Sequence, residues 1–426
     1  MSIITQIISF SKTNIAANTF YLLIDKISKL GNFIVILLIA QNYGIKTFGD
    51  FSFAFAFVSI LGSFSELGIK NIVIRYLVQN KNKRDIYLGT SSSLIFCASL
   101  LCLLLSITYI STSDDTALIK TLILFFSLPY AFRPFYVIFY YFESKSQVKV
   151  IVPYLFLNTL VCLILKLFLI LNKLNILTFG YITFVEGVIE VLILLFIFQK
   201  KGYSIRKWSF DWSIFKLFIK ESMPIFISGV MIMIYIKIDQ ILLQKLSTSH
   251  ESGLYALAAK LLEITFIVPT ILTASYLPSI IKSIFLKDTS ILMNLYKIYR
   301  NISLFIIVTT FLFADFFINI FYGSSYNHSI ILLKIMIPTV LFVSISSIAN
   351  SYIQIIGKSY IQMLISILVC LLNITLNFLL IPIHQAKGAA IATLLSYTSY
   401  VLLIMLFLPR QDINKLYILK ALTFSK

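Results

Sequence analysis

A set of ionisable side chains lies inside otherwise apolar runs of this 426-residue sequence: Asp25, Lys26, Lys29, Arg133, Lys166, Glu186, Glu190, Lys237, Asp239, Lys260, Glu263, Asp315 and Lys334. A charge held at membrane depth costs at least about 2.5 kcal/mol, so each needs a partner or a water-filled cavity. Counting residues from the outer helix ends, at about 1.5 Å each, compares their depths. Lys29 comes out level with Glu186, Lys26 with Glu190, Lys237 with Glu263, Asp239 with Lys260, and Asp315 with Lys334. Two roles fit. Interhelical ion pairs could simply lock a helix bundle. Alternatively, Arg133, Lys26, Lys29, Lys237 and Lys260 present a mildly cationic cavity to an anionic cargo. On that second reading Asp25, Glu186, Glu190, Asp239, Glu263 and Asp315 pair with these cations or carry a coupling ion.

Arg133 has no evident partner at its depth, which makes it the first candidate for an anion contact. It sits in an aromatic stretch with Pro129 and Pro134, which should kink the helix. Tyr136 and Tyr140 follow on a similar helical face. Ring faces beside a guanidinium suit a ligand made of sugars and phosphate, although lipid-facing Phe and interfacial Tyr account equally for such a stretch. Depth matching moves Lys237 and Asp239 toward the outer half of the membrane, with partners on the next span, where they suit a latch on an outward gate.

The residues that soluble enzymes need are missing. The sequence holds no phosphate-binding glycine loop, no metal-spaced His or Cys cluster and no nucleophile–base arrangement. His250, His328 and His384 fall in expected outward loops. Cys97, Cys102, Cys162 and Cys370 lie in apolar spans and read as small core residues.

The elements that must position these charges follow from composition. With 59% hydrophobic and 12% charged residues, and apolar runs recurring from end to end, the chain reads as an all-α polytopic membrane protein. Twelve spans are expected, near residues 16–41, 48–68, 87–110, 118–142, 148–171 and 176–198, then 222–246, 253–281, 299–322, 329–354, 359–382 and 387–408. The net charge of +18 is concentrated in alternate loops, which argues for membrane topology and against nucleic acid. The positive-inside rule places both termini in the cytoplasm. The N-terminus lacks a basic leader and cleavage site, so the first span is expected to insert uncleaved.

Two six-helix lobes are expected: 1–200 with spans one to six, and 221–426 with spans seven to twelve and a short tail. The basic segment 201–220 joins them, with Trp208 and Trp212 as interface anchors. The halves echo one another. GIKTFGDFSFAFAF (44–57) matches TSHESGLYALAAKL (248–261), aligning Gly49 with Gly253, Phe51 with Tyr255 and Ala54 with Ala258. ESKSQ (143–147) similarly matches IGKSY (356–360). Parallel repeats of this kind build transporters.

Residues 350–397 carry an aromatic-x-Gln-x-x-Gly-Lys turn (Tyr352, Gln354, Gly357, Lys358), an Asn-bearing span (Asn373), Pro382, and a Gly-Ala-Ala-x-Ala-Thr helix start (Gly388, Ala389, Ala390, Ala392, Thr393). This stretch resembles polysaccharide-repeat flippases of the Wzx type, in the multidrug/oligosaccharidyl-lipid/polysaccharide exporter superfamily. YGIKTFGDFSFAFAF with ELGIKN (66–71), and IYIKIDQILLQKLSTSHESGLYALAAKL with Pro269 and Pro278, look like the same family. One departure is IHQAK before Gly388, where the family usually has a glycine-bearing turn.

The resemblance implies a MATE-like, two-lobed fold that alternates between inward-facing and outward-facing states. The cargo it implies is an undecaprenyl-pyrophosphate-linked oligosaccharide moved from the cytoplasmic to the periplasmic leaflet of a bacterial inner membrane. It implies no cofactor beyond a coupling proton or sodium ion. Further partners are the lipid bilayer and the polymerase and chain-length regulator of the same pathway, with no nucleic acid. A cation-coupled multidrug exporter of the same superfamily is the second reading, disfavoured by the lysines. A membrane glycan polymerase or ligase is the third, disfavoured by the short outward loops.

Overall fold

In the computed structural model, residues 31–286, 289–408 and 417–420 are described. Asp25, Lys26 and Lys29 lie outside the described residues. The fold is helical throughout the described chain, as continuous apolar runs require when backbone groups must be satisfied without water. The helices are α1 (Gly31–Tyr43), α2 (Ile45–Glu66), α3 (Lys70–Gln79), α4 (Arg84–Thr112), α5 (Ala117–Ser127), α6 (Val137–Ser144), α7 (Val152–Leu171) and α8 (Leu177–Lys200). Then come α9 (Trp212–Leu246), α10 (Ser249–Thr265), α11 (Ile267–Leu286), α12 (Thr289–Tyr322), α13 (Asn327–Met336), α14 (Thr339–Ile355) and α15 (Ser359–Phe407).

Nine helices among the described residues are long and apolar enough to cross a membrane, or ten when the pair bent by 43° ahead of Thr339 counts as one span. The other two of the expected twelve are the partly described first span, seen as α1, and the second half of α15. That helix runs 49 residues through two expected spans and breaks at Gln385.

The break has a physical cost. Gln385 takes φ 51° and ψ −131°, a region that favours glycine because a Cβ crowds the backbone there. This is the turn where the sequence lacks the family's usual glycine. Gln385→Gly is expected to stabilise the protein by about 1 kcal/mol, raising the melting temperature in detergent by about 1 °C. An unchanged or lower melting temperature would show that the turn is not strained.

Contacts divide the chain into two units. The first comprises residues 1–43 and 57–226, and the second 44–56 and 227–426. Helix α2 therefore contributes its first half to the second unit and the rest to the first, so the grouping departs from simple halves. The first unit is built around Tyr87, Leu88, Phe142, Leu194, Phe198 and Phe218. The second is built around Tyr296, Tyr299, Ile348, Ile365, Val369 and Tyr400.

Within the second unit the sequence repeat becomes a packing motif. A Cβ on Gly49 would lie 2.0 Å from the Ser249 carbonyl oxygen, and one on Gly253 would lie 2.1 Å from that of Ile45. Ile45 and Ser249 are themselves 204 residues apart, as are the two glycines. The contact is thus symmetric: each glycine meets the carbonyl four residues before the other. Only glycine lets two helices approach so closely.

Two expected elements differ in detail. Pro129 and Pro134 do not merely kink the fourth span. They turn Leu128–Tyr136 into a 3₁₀ stretch between α5 and α6, because a proline lacks the N–H that an α-turn needs. The joining segment is also shorter than 201–220, since α9 starts at Trp212. Asp211 caps that start, its carboxylate accepting from the backbone N–H groups of Ser213 at 2.8 Å and Ile214 at 3.0 Å. The Ser213 hydroxyl, then these backbone donors, hold its carboxyl below the ordinary range. Trp212 is exposed and stacks on Phe215, whereas Trp208 is half-buried against Phe198. Cys102, Cys162 and Cys370 are buried, but Cys97 is exposed on α4 and is no core residue.

Candidate functional site

The second unit holds two polar centres. In the first, Lys237 of α9 and Lys260 of α10 converge on Glu263. Lys237 Nζ donates to Glu263 Oε1 at 2.6 Å, and Lys260 Nζ to Oε2 at 2.7 Å. Lys237 is 6% and Lys260 5% exposed. Both ammonium groups also lie over the Phe55 ring, at 6.0 and 5.3 Å from its centroid. The geometry follows from the chain. The two residues between α9 and α10, Ser247 and Thr248, turn the chain from one helix into the next, and Thr248 caps α10 by accepting from the Glu251 N–H. Lys260 and Glu263, three residues apart, then share one face of α10.

The second centre surrounds Asp239, which is 1% exposed. Its Oδ1 accepts from Asn377 Nδ2 at 2.6 Å, and its Oδ2 from the hydroxyls of Tyr255 and Thr393, each at 2.6 Å. The expected Asp239–Lys260 pair does not form. Asp239 sits two residues beyond Lys237, about 200° around the helix, so the two cannot face the same side. Depth counting fixes the axial coordinate and says nothing about the azimuth.

Hydrogens are scarce in this centre. Asn377 has two N–H groups for Asp239 Oδ1, Asn373 O and Asn373 Oδ1. The single Thr393 hydroxyl proton faces both Asp239 and the Ala389 carbonyl. Asn377 Oδ1 is buried without a hydrogen-bond partner among the described residues. No cationic side chain among the described residues pairs with Asp239. Oxygen acceptors outnumber donor hydrogens, which is the environment of a proton on the carboxylate or of a small cation.

In the first unit, Lys166 Nζ donates to Glu186 Oε2 at 2.6 Å and to Asn32 Oδ1 at 2.9 Å. Glu186 was level with Lys29, which lies outside the described residues. Lys166 reaches Glu186 because the lysine stem spans a depth difference of roughly 6 Å between α7 and α8. Arg133 stacks its guanidinium over Tyr136 at 4.4 Å, within the 3₁₀ stretch. Tyr136 is half-buried and Tyr140 buried. Glu190 lies on α8 one turn beyond Glu186. Asp315 of α12 pairs with Lys334 of α13, but the Asp315 side chain is 55% exposed within the protein. Sequence reasoning missed Tyr255, Asn373, Asn377 and Thr393 as partners of Asp239. The i, i+4 spacing of Asn373 and Asn377 on an apolar helix was the available signal.

This arrangement belongs to a recognisable class. The structure is similar to a multidrug resistance MATE family transporter of the MOP superfamily in an inward-facing conformation, with TM-score 0.72 and 13% identity over 94% of this chain and 96% of that one. It is equally similar to the lipid II flippase MurJ in an inward closed conformation, with TM-score 0.72 and 16% identity over 96% of this chain and 91% of that one. The fold is the MATE-like fold of polytopic membrane proteins.

Residues 15–284 match the family described as Polysaccharide biosynthesis protein, and the chain belongs to that family. The two fold neighbours are a transporter and a flippase. An uncharacterized membrane protein of Methanocaldococcus jannaschii is 26% identical over 188 residues. The match spans 43% of this chain and 44% of that relative.

Proposed function

We propose that this protein is a lipid-linked oligosaccharide flippase. It moves an undecaprenyl-pyrophosphate-linked glycan repeat from the cytoplasmic to the periplasmic leaflet of a bacterial inner membrane, with both termini cytoplasmic. The observation that carries this reading is the convergence of two buried lysines, Lys237 and Lys260, inside membrane-spanning helices. Ammonium groups at that depth suit a cargo whose pyrophosphate is anionic while its lipid tail stays in the bilayer. Arg133, held over Tyr136 in a proline-bracketed 3₁₀ stretch, is the proposed anion contact of the first unit. Lys26 and Lys29 remain candidates of the same kind, and Tyr136 and Tyr140 are the proposed sugar-stacking rings. Asp239 is the proposed coupling residue, exchanging a proton or sodium ion. A polymerase and a chain-length regulator are the proposed partners downstream.

Deleting the gene should leave lipid-linked repeat units accumulated on the cytoplasmic side, and the wild-type chain should restore the surface glycan. Arg133→Ala should restore it at least about tenfold less well, while reaching the membrane in normal amounts. Full restoration by Arg133→Ala would remove the anion contact. Sensitivity to cationic drugs without glycan accumulation would favour the multidrug exporter.

A further inference from the structure

We propose that Lys166 is a cation built into the first unit at the place where the second unit takes an exchangeable one, so that one cation, not two, is exchanged per transport cycle. This rests on the coupling role proposed above for Asp239. The argument begins with the repeat, in which spans one, five and six correspond to spans seven, eleven and twelve. In the second unit those three spans supply most of the Asp239 centre: α9 gives the carboxylate, the first half of α15 gives Asn373 and Asn377, and the second half gives Thr393, with the Tyr255 hydroxyl added from α10.

In the first unit the corresponding spans also bring a carboxylate together with asparagine side chains. Helix α1 gives the Asn32 amide oxygen, α7 gives Asn158 and Lys166, and α8 gives the Glu186 carboxylate. Each centre places a carboxylate beside asparagine amides, Asn377 Nδ2 donating to Asp239 in the second unit and Asn158 Nδ2 donating to the Glu186 backbone carbonyl in the first. They differ in the cation. The Lys166 ammonium, on a residue 4% exposed, bridges Glu186 Oε2 and Asn32 Oδ1 at 2.6 and 2.9 Å. The Asp239 centre has no ammonium at all among the described residues, and one amide oxygen, Asn377 Oδ1, is left without a donor.

A carboxylate buried at membrane depth requires a positive charge nearby or a proton. The first unit meets that requirement with a side chain tethered to the helix, so its cation does not exchange with solution. The second unit meets it from solution, so its occupancy follows the cation concentration on the side to which it is open. Two exchangeable sites would double the coupled charge. A tethered ammonium at one of them leaves a single charge to move, while keeping the two units polar at equivalent places.

The test uses the purified full chain in lipid nanodiscs. Thermal unfolding is followed from mildly acidic to mildly alkaline pH, with sodium present or replaced by choline. The wild type should be stabilised by cations through Asp239, and Asp239→Asn should lose that response. Adding Lys166→Met to Asp239→Asn should restore a response of at least about 5 °C, now from Glu186, and a further Glu186→Gln should abolish it.

A merely structural Lys166 would lower the melting temperature without creating any response to pH or sodium, and that result would overturn the proposal. If Asp239→Asn keeps the wild-type response, the coupling role of Asp239 fails separately. Lys166 is then judged by comparing Lys166→Met with the wild type, where no gained response overturns it. If Lys166→Met does not fold, Glu186→Gln alone decides. It leaves the ammonium beside a neutral amide, so stability should fall toward acid and recover toward alkali; a flat profile overturns the proposal.

Discussion

Replacing Glu263 by glutamine is expected to destabilise the protein by about 3–5 kcal/mol, more than replacing either Lys237 or Lys260 by methionine. The carboxylate accepts from both ammonium groups, at 2.6 and 2.7 Å, so its loss breaks two buried pairs at once. What remains is two like charges near the same ring, and a cation–π contact at 5.3 or 6.0 Å offsets only about 1–2 kcal/mol. Either lysine variant instead leaves one matched lysine–carboxylate pair. Thermal unfolding in nanodiscs and the amount of chain recovered from membranes measure the order. If Glu263→Gln is no worse than Lys237→Met, the three residues do not act as a cluster.

The triple variant Lys237→Met, Glu263→Gln, Lys260→Met separates stability from function. Replacing a whole buried ionic cluster by groups of similar volume is often neutral or stabilising, so the triple should melt above Glu263→Gln alone. A cluster that only latches helices would then leave glycan export intact. A cluster that meets an anionic cargo would leave the chain folded and export lost, which is the expected outcome.

The residues that could be read from the sequence were those whose positions depend on one coordinate. Lys237 and Glu263 were matched by depth, and the structure places them in contact. Gly49 and Gly253 were matched by a fixed offset, and they meet backbone to backbone. Asp239 shows the limit of the same reasoning. Its depth matches Lys260, but its azimuth turns it toward Tyr255, Asn377 and Thr393, which belong to three other helical segments. Depth is set by counting along one helix, whereas azimuth depends on how several helices pack, and the local sequence does not contain that. Lys166 escaped pairing for a different reason: a lysine stem reaches well beyond its own Cα. Gln385 was visible as a departure from the glycine-bearing turn, and the structure puts it at a positive φ that a glycine would take without strain.

Asp239→Asn is expected to reduce transport on the order of 100-fold while leaving the fold intact. The substitution is nearly isosteric, and two of its three partners are hydroxyls that can turn to donate or accept. Tyr255 OH and Thr393 Oγ1 already lie 2.8 Å apart, close enough to bond each other when a carboxylate oxygen no longer takes both protons. Asn377 can likewise direct an N–H to Asn373 Oδ1, at 3.2 Å. Folding therefore tolerates the change.

Coupling does not tolerate it, because an amide neither takes up a proton nor offers the charge that holds a cation among acceptor oxygens. A ligand shifts a two-state equilibrium only by its difference in affinity for the two states, and a neutral centre offers no such difference. Transport in vesicles bearing a cation gradient measures the effect. The variant should move cargo slowly and at a rate independent of the gradient, with a melting temperature within about 3 °C of the wild type. Gradient-driven transport at the normal rate by Asp239→Asn would place the coupling charge elsewhere in the chain, with Glu186 and Glu190 the next carboxylates to replace.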